Sequence, residues 1–307
     1  MNKKTILITG ANGYIGEALS LKLNEDCKNY KIVLLDKKFN KWTKYLDKSI
    51  KIIKSDINQI SNYISYIKNS DIIIDCIGYT DHNFSNSILV KKDLKTNLYD
   101  KINLILELNK INKKIIYFSI GTIHKYGSKH IHKNISIDNS IDHYDYQSVS
   151  KASFESYLKL IAKNNNNLIV NILNIGGVFG YNKSNNQSFV NKMILDFINN
   201  DKIDFYYKNL NSRYKNIIYI DDLVFEIISR IPKRLISKKN FIEEDIVKYN
   251  VNLFDIIKFL TNRFPNRKVL LSNVNTNFVH VYKKKFIEDN HLLKKINITI
   301  DKFITSF

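Results

Sequence analysis

The feature that most constrains the fold is a glycine-rich turn near the amino terminus, Thr9-Gly10-Ala11-Asn12-Gly13-Tyr14-Ile15-Gly16. An apolar run over residues 5–9 leads into the turn, and a helical pattern follows it from Gly16. In such a strand–turn–helix unit, Gly10 permits the tight turn, Gly13 lets the backbone approach a diphosphate, and Gly16 lets the helix pack on the sheet. The first N–H groups and the positive dipole end of the helix then face the phosphates. The residues expected to hold a dinucleotide here are Gly10, Asn12, Gly13, Tyr14, Ile15 and Gly16.

An acidic residue specifies which dinucleotide is expected. Asp36 ends the second apolar run, residues 31–35, twenty residues after Gly16. A carboxylate at this place can accept both hydroxyls of the adenosine ribose and repels a 2′-phosphate, so NAD is favoured over NADP. Lys37 and Lys38 follow it and weaken that preference.

Apolar runs and helical patterns alternate along the rest of the first half of the chain. The runs lie at 50–54, 71–77, 114–119 and 167–173, and the helical patterns at 57–68, 91–109 and 148–162. Unbroken Ile, Val and Leu runs are typical of parallel strands buried on both faces. The expected fold class is therefore α/β, a Rossmann doubly wound parallel sheet, seven-stranded or similar, with a smaller C-terminal substrate lobe.

The looser pattern after residue 174 predicts where that lobe begins. Helices are expected at 189–198 and 253–264, and a strand is expected to end at 219–220. We expect the Rossmann domain to cover 1–174 and the substrate lobe 175–307. The chain should return to the Rossmann domain near 215–230.

Composition excludes several classes of protein. The net charge of +19 comes mostly from scattered Lys, with few Arg, which favours a solvated surface over nucleic-acid binding. Such a field still favours an anionic substrate. No apolar stretch is long enough for a membrane span, and the amino terminus does not resemble a signal peptide. Cys27 and Cys76 lack a partner spacing, so we expect reduced thiols, no metal site and a cytoplasmic protein.

The spacing Gly-x-x-Gly-x-x-Gly resembles that of the extended short-chain dehydrogenase/reductases, which include nucleotide-sugar epimerases, dehydratases and reductases. The likeness continues at Ser55-Asp56-Ile57, Asp75-Cys76-Ile77-Gly78-Tyr79, Asn97 and Asn216–Asp222. It implies that Asp56 and Ile57 contact the adenine and that Cys76 and Gly78 lie beside the cofactor ribose. It also implies a structural role for Asn97 and a homodimer formed through the helices at 93–109 and 148–162.

The resemblance also implies the catalytic residues. Thr122, five residues before Gly127, matches a Thr or Ser that binds the reacting sugar oxygen; Ser119 is the alternative. Lys151 matches the Lys that lowers the pKa of a catalytic Tyr and holds the nicotinamide ribose. That Tyr is expected four residues earlier, where this chain has Gln147.

Tyr146 stands one residue before the expected place, which on a regular helix is a rotation of about 100°. A bulge or a late helix start would return Tyr146 to the site, and this is the interpretation we favour. Alternatively, Gln147 replaces the base and the chain binds NAD without the family's chemistry.

The substrate half departs further from the family. Asn174 stands where an Arg is common, Gly177 where an Asn touches the substrate, and Lys215 where an Arg clamps the diphosphate; Arg213 could reach in instead. Ile123 and His124 replace the Asp-Glu pair of the dehydratases, which argues against a 4,6-dehydratase.

The resulting hypothesis is an NAD-dependent nucleotide-sugar epimerase or ketoreductase of surface polysaccharide biosynthesis, with Thr122, Tyr146 and Lys151 as catalytic residues and Thr122, Gly177, Arg213 and Lys215 contacting the substrate. The alternative is a non-catalytic NAD-binding protein with a degenerate site.

Overall fold

A seven-stranded parallel sheet forms the centre of the molecule. The computed structural model describes residues 3–79, 87–126, 146–182, 188–206, 214–272 and 290–306. The sheet strands are β1 (Lys4–Thr9), β2 (Tyr30–Asp36), β3 (Lys51–Lys54), β4 (Ile72–Asp75), β5 (Ile115–Thr122), β6 (Leu168–Ile175) and β10 (Phe241–Ile246). Their order is β3-β2-β1-β4-β5-β6-β10, and every neighbouring pair is parallel. The predicted fold class is confirmed.

Helices cover both faces of this sheet. They are α1 (Tyr14–Asn24), α2 (Ile64–Asn69), α3 (Ser87–Leu94), α4 (Asp100–Asn109), α5 (Tyr146–Asn164) and α7 (Ile220–Leu235), with a π-helical turn at Lys95–Tyr99 between α3 and α4. One core joins the sheet to α1 and α7, and a second joins the opposite face to α2, α4 and α5. Because the strands are buried on both sides, their unbroken apolar runs are explained.

A third apolar core holds the C-terminal part of the chain. Its elements are β7 (Gly177–Phe179), α6 (Phe189–Asn199), β8 (Lys202–Tyr206), β9 (Tyr214–Tyr219), β11 (Tyr249–Asn252), α8 (Leu253–Arg263), β12 (Lys268–Ser272) and α9 (Asn290–Ile304). The strands form a sheet of order β11-β9-β7 and a parallel pair β12-β8. In the chain segment between β9 and β11, α7 packs on the central sheet and β10 is the edge strand of that sheet.

Two local predictions need correction, and one strand was missed. The helix expected over 57–68 is a 3₁₀ turn at Ile60–Asn62 followed by the short α2, where the Tyr63 hydroxyl donates to the carbonyl of Ile57. The strand expected over 71–77 ends at Asp75, whose carboxylate accepts from the backbone N–H of Ile77 (3.1 Å). The strand β10 was not predicted, because its three consecutive acidic residues hide the apolar pattern.

Within the described ranges, no helix combines the length and the apolar character that a bilayer crossing requires.

Candidate functional site

The glycine-rich turn has the shape of a phosphate cradle. Gly10 has a φ of +68°, which only glycine adopts readily. A side chain at Gly16 would collide with the carbonyl oxygen of Gly10, so the start of α1 packs directly on the turn. Because α1 begins at Tyr14, the first N–H groups of the helix have no intrahelical partner and face the turn. The residues present therefore fit the diphosphate of NAD.

The Asp36 carboxylate is fixed beside this turn at the end of β2. Its Oδ2 accepts from the backbone N–H of Asn12 (3.0 Å) and its Oδ1 from that of Lys38 (3.3 Å). Asn12 is held in turn, since its Oδ1 accepts from the Trp42 indole N–H (2.8 Å) and from the backbone N–H of Asn40 (3.0 Å). Sequence spacing does not reveal that Trp42 takes part, because this residue lies 30 positions away along the chain.

The other predicted adenosine contacts lie near Asp36. The backbone N–H of Ser55 donates to the carbonyl of Asp36 (3.0 Å), which brings the start of the Ser55-Asp56-Ile57 segment to the end of β2. Ile57 is buried. The Tyr14 hydroxyl, by contrast, donates to the carbonyl of Gly180 (2.6 Å) and so joins α1 to the C-terminal part of the chain. Any contact of Tyr14 with the cofactor is therefore expected from its backbone.

A buried polar cluster lies at the carboxyl end of β4, where the family resemblance implied only that Cys76 and Gly78 lie beside the cofactor ribose. The Asp75 carboxylate accepts from the Thr9 hydroxyl (2.8 Å) and the Tyr117 hydroxyl (2.8 Å), and it pairs with Lys101 Nζ at 2.9 Å. Burial and the Asp75 charge hold the pKa of Tyr117 well above its usual value, so its hydroxyl stays protonated and donates. The next residue, Cys76, is a free thiol whose pKa is raised by burial, which favours the neutral thiol over the thiolate.

Lys151 lies in front of this cluster. A Cβ atom added to Gly78 would lie 3.9 Å from Lys151 Nζ, so the ammonium lies directly over that glycine. Burial, with a smaller contribution from the charge of Lys101, lowers the pKa of Lys151 to about 8. The π-helical turn presents Asn97, whose side chain accepts from the backbone N–H of Tyr79 (2.8 Å) and donates to its carbonyl (3.0 Å). Asn97 thereby fixes the segment after β4, in agreement with its expected structural role.

Helix α5 is regular from its first described residue, Tyr146. Gln147 lies four residues before Lys151 on the same face and is buried, whereas the Tyr146 side chain is 47% exposed. The bulge that would bring Tyr146 onto the Lys151 face is not present between Tyr146 and Lys151. Residues 127–145, which precede the helix, lie outside the described chain.

Thr122 is the last residue of β5, and Ser119 lies three residues deeper in the same strand. Ser119 is level with Asp75, the last residue of the neighbouring β4, so Thr122 extends beyond the end of that strand. Its hydroxyl oxygen accepts from the backbone N–H of His124 (3.2 Å). Of the two alternatives, Thr122 is therefore the one at the edge of the sheet where Lys151 and Gly78 lie.

Two of the predicted substrate residues, Gly177 on β7 and Lys215 on β9, lie on the small sheet β11-β9-β7. Gly177 is exposed and pairs with Ile217, two residues from Lys215 on β9. Arg213 lies outside the described residues. In the described part of the chain, no three His, Cys, Asp or Glu side chains are grouped as a metal site.

Comparison with known proteins gives a consistent picture. Residues 6–234 match the model of the NAD dependent epimerase/dehydratase family. A dTDP-D-glucose 4,6-dehydratase of Dictyostelium discoideum is 30% identical over 247 residues, which cover 73% of this chain and 55% of that protein. A UDP-glucuronic acid 4-epimerase of Bacillus cereus, solved with UDP-glucuronic acid and NAD, superimposes with a TM-score of 0.78 at 17% identity and covers 99% and 100% of the two chains. The structural likeness establishes the fold; the chain spans about half the length of the Dictyostelium relative.

Proposed function

The chain belongs to the NAD-dependent epimerase/dehydratase family, and we propose that it is an NAD-dependent enzyme that epimerises or reduces a nucleotide sugar by hydride exchange at a ring carbon. The observation that carries the proposal is the position of Lys151 over Gly78, at the edge of the sheet where the glycine-rich turn and Thr122 also lie. The proposal includes a surface polysaccharide pathway, inferred from the family resemblance, and a cytoplasmic location, inferred from the two free cysteines.

Three parts of the chain bind the cofactor in this proposal. The turn from Gly10 to Gly16 binds the diphosphate, and Asp36 accepts from the adenosine ribose. When bound, NAD supplies the hydride acceptor and donor. Lys151 holds the nicotinamide ribose, and its ammonium stabilises a phenolate nearby.

The substrate lies between the central sheet and the C-terminal lobe, over the carboxyl ends of the strands. Thr122 donates to the sugar oxygen that is oxidised or reduced. Tyr146 exchanges the proton with that oxygen, for which its half-exposed side chain at the start of α5 turns onto the Lys151 face. Gly177 leaves room beside the sugar, and Lys215 and Arg213 neutralise the substrate diphosphate. The lobe at 175–307 holds the nucleotide sugar, and the chain returns to the Rossmann domain near 215–230.

A second candidate, a non-catalytic NAD-binding protein, is favoured by one observation. Gln147 occupies the Lys151 face of α5 and is buried, while Tyr146 is half exposed. An amide cannot exchange a proton with the sugar as a phenol does.

Turnover measurements with three variants separate the two candidates. The purified chain with NAD is incubated with UDP-glucose, UDP-galactose or dTDP-glucose, and products are read by NMR. If Tyr146 is the acid/base, Tyr146→Phe loses about 100-fold or more in kcat, while Lys163→Met, on the exposed end of α5, behaves as wild type. If the site is degenerate, the wild type binds NAD without turnover, and Gln147→Tyr gains activity. Ordinary turnover that survives Tyr146→Phe would refute the assignment of Tyr146.

A further inference from the structure

A buried cation, Lys125, lies in the turn that follows Thr122 at the end of β5. Lys125 is 4% exposed. Its Nζ donates to Glu155 on α5 (2.7 Å), to the side-chain oxygen of Asn174 on β6 (2.9 Å) and to Glu243 on β10. One lysine in the turn that follows Thr122 therefore joins three elements of the core.

The position of Lys125 accounts for the unusual residue on β6. Asn174 stands where an Arg is common in the family, and its amide donates to Glu243 (3.0 Å) and Asp245 (2.9 Å). Lys125 Nζ donates to the side-chain oxygen of Asn174. Lys125, which follows the neighbouring strand β5, therefore supplies the positive charge that an Arg would supply at position 174.

Glu155 connects this cluster to Lys151. The two residues are one turn apart on α5, and each carries a charge that shifts the pKa of the other. Glu155 is 7% exposed, so its carboxylate needs a cation close by. Lys125 is that cation at 2.7 Å; if it were removed, Lys151 would be the remaining cation on the same helix face.

We propose that Lys125 is a positioning residue: by pairing with Glu155 it keeps the ammonium of Lys151 over Gly78 instead of turned along α5 toward Glu155. The inference rests on the proposed function, because it takes Lys151 as the group that holds the nicotinamide ribose. It adds a residue, Lys125, that touches neither cofactor nor substrate.

Calorimetric titration of the full chain with NADH tests this without requiring turnover. In Lys125→Met, Lys151 is the remaining cation that can pair with the Glu155 carboxylate. We therefore expect about tenfold weaker NADH binding, the value of one lost hydrogen bond to a charged group. Lys125→Met combined with Glu155→Gln removes the competing carboxylate, so binding returns close to the wild-type value although the ion pair is still absent. Lys163→Met, an exposed lysine at the end of the same helix, is the control and is expected to bind NADH normally.

The double variant separates positioning from packing. If Lys125 served only to hold the fold together, Lys125→Met/Glu155→Gln would bind NADH no better than Lys125→Met, and the proposal would be overturned. Unchanged binding by a folded Lys125→Met would overturn it as well. A wild-type chain that binds no NADH would refute the proposed function and this inference with it, whereas normal wild-type binding isolates the role of Lys125.

A second route remains if Lys125→Met does not fold. Lys125→Met/Asn174→Arg returns a cation to Glu155 from β6, and Lys125→Met/Glu155→Gln removes the need for one. Both are expected to bind NADH as the wild type does. Weak binding by either folded variant would contradict the proposed action through Glu155.

Discussion

The ion pair between Asp75 and Lys101 offers the sharpest test of how the core beneath the site is stabilised. Both side chains are almost completely buried, at 0% and 1% exposure, with 2.9 Å between Asp75 Oδ2 and Lys101 Nζ. Asp75 also accepts from Thr9, Tyr117 and the backbone of Ile77, so four donors converge on one carboxylate. The two partners should therefore be unequal in importance.

Asp75→Asn removes the only negative charge that these four donors share. It removes the carboxylate partner of the buried Lys101 ammonium, and in either orientation its amide NH2 group faces two of the four donors. The expected loss in the free energy of unfolding is about 3–5 kcal/mol. Lys101→Met costs less, about 1.5–3 kcal/mol, the value of a hydrogen bond to a charged group, because the carboxylate keeps its three other donors.

Urea denaturation followed by circular dichroism measures these losses, with the slope m used to check that the unfolding transition is unchanged. The double variant Asp75→Asn/Lys101→Met should be more stable than Asp75→Asn alone, since it removes the stranded charge. Glu107→Gln, which breaks the exposed pair between Glu107 and Lys110 on the same helix, should cost about 1 kcal/mol or less. A larger loss from Lys101→Met than from Asp75→Asn, or additive effects in the double variant, would refute this reasoning.

Three further predictions concern binding, stability and assembly. Burial and the charge of Lys101 lower the pKa of Lys151 to about 8, so its ammonium is lost and NADH affinity falls as the pH rises through that value; a flat titration between pH 7 and 9 would contradict this. Both amide atoms of buried Asn171 lack a hydrogen-bond partner among the described residues, so Asn171→Leu should raise the free energy of unfolding by about 1–3 kcal/mol in urea titrations. Leu106 on α4 and Leu160 on α5 expose apolar surface; if these helices form the dimer interface, Leu160→Glu yields a monomer in light scattering, while Ile236→Glu, at the residue that follows α7, does not.

The parts of the fold that sequence predicts well are those set by residues close together in the chain. The turn from Gly10 to Gly16 is predictable because its conformation requires glycine at fixed positions. The strands β1 to β6 are predictable because each contains an unbroken apolar run. The strand β10 is not predictable in this way, because Glu243, Glu244 and Asp245 resemble a solvated segment. Their partners lie on other elements: Lys125 reaches Glu243 across 118 positions, and Arg230 and Arg234 of the preceding helix α7 bind Glu244.

The candidate site follows the same division. Asp36 was predicted from its spacing after Gly16, and Lys151 from the family resemblance; Asp36 ends β2, and the Lys151 ammonium lies next to Gly78, after the end of β4. Lys101 could not be predicted, because its apolar neighbours at helical spacing give no hint that a charge among them is buried against Asp75. The identity of the proton-transfer residue depends on whether Tyr146 or its neighbour Gln147 faces the site. One residue along a helix is a rotation of about 100°, and sequence spacing does not resolve so small a shift.

The hydrogen bond from Trp42 to Asn12 gives the protein an optical property. Trp42 is the only tryptophan in the chain, it is 2% exposed, and it touches the turn that faces the diphosphate. All tryptophan emission therefore originates at one buried point next to the cofactor cradle. Because reduced nicotinamide absorbs where tryptophan emits, energy transfer from Trp42 would report occupancy of the cradle in the unlabelled protein.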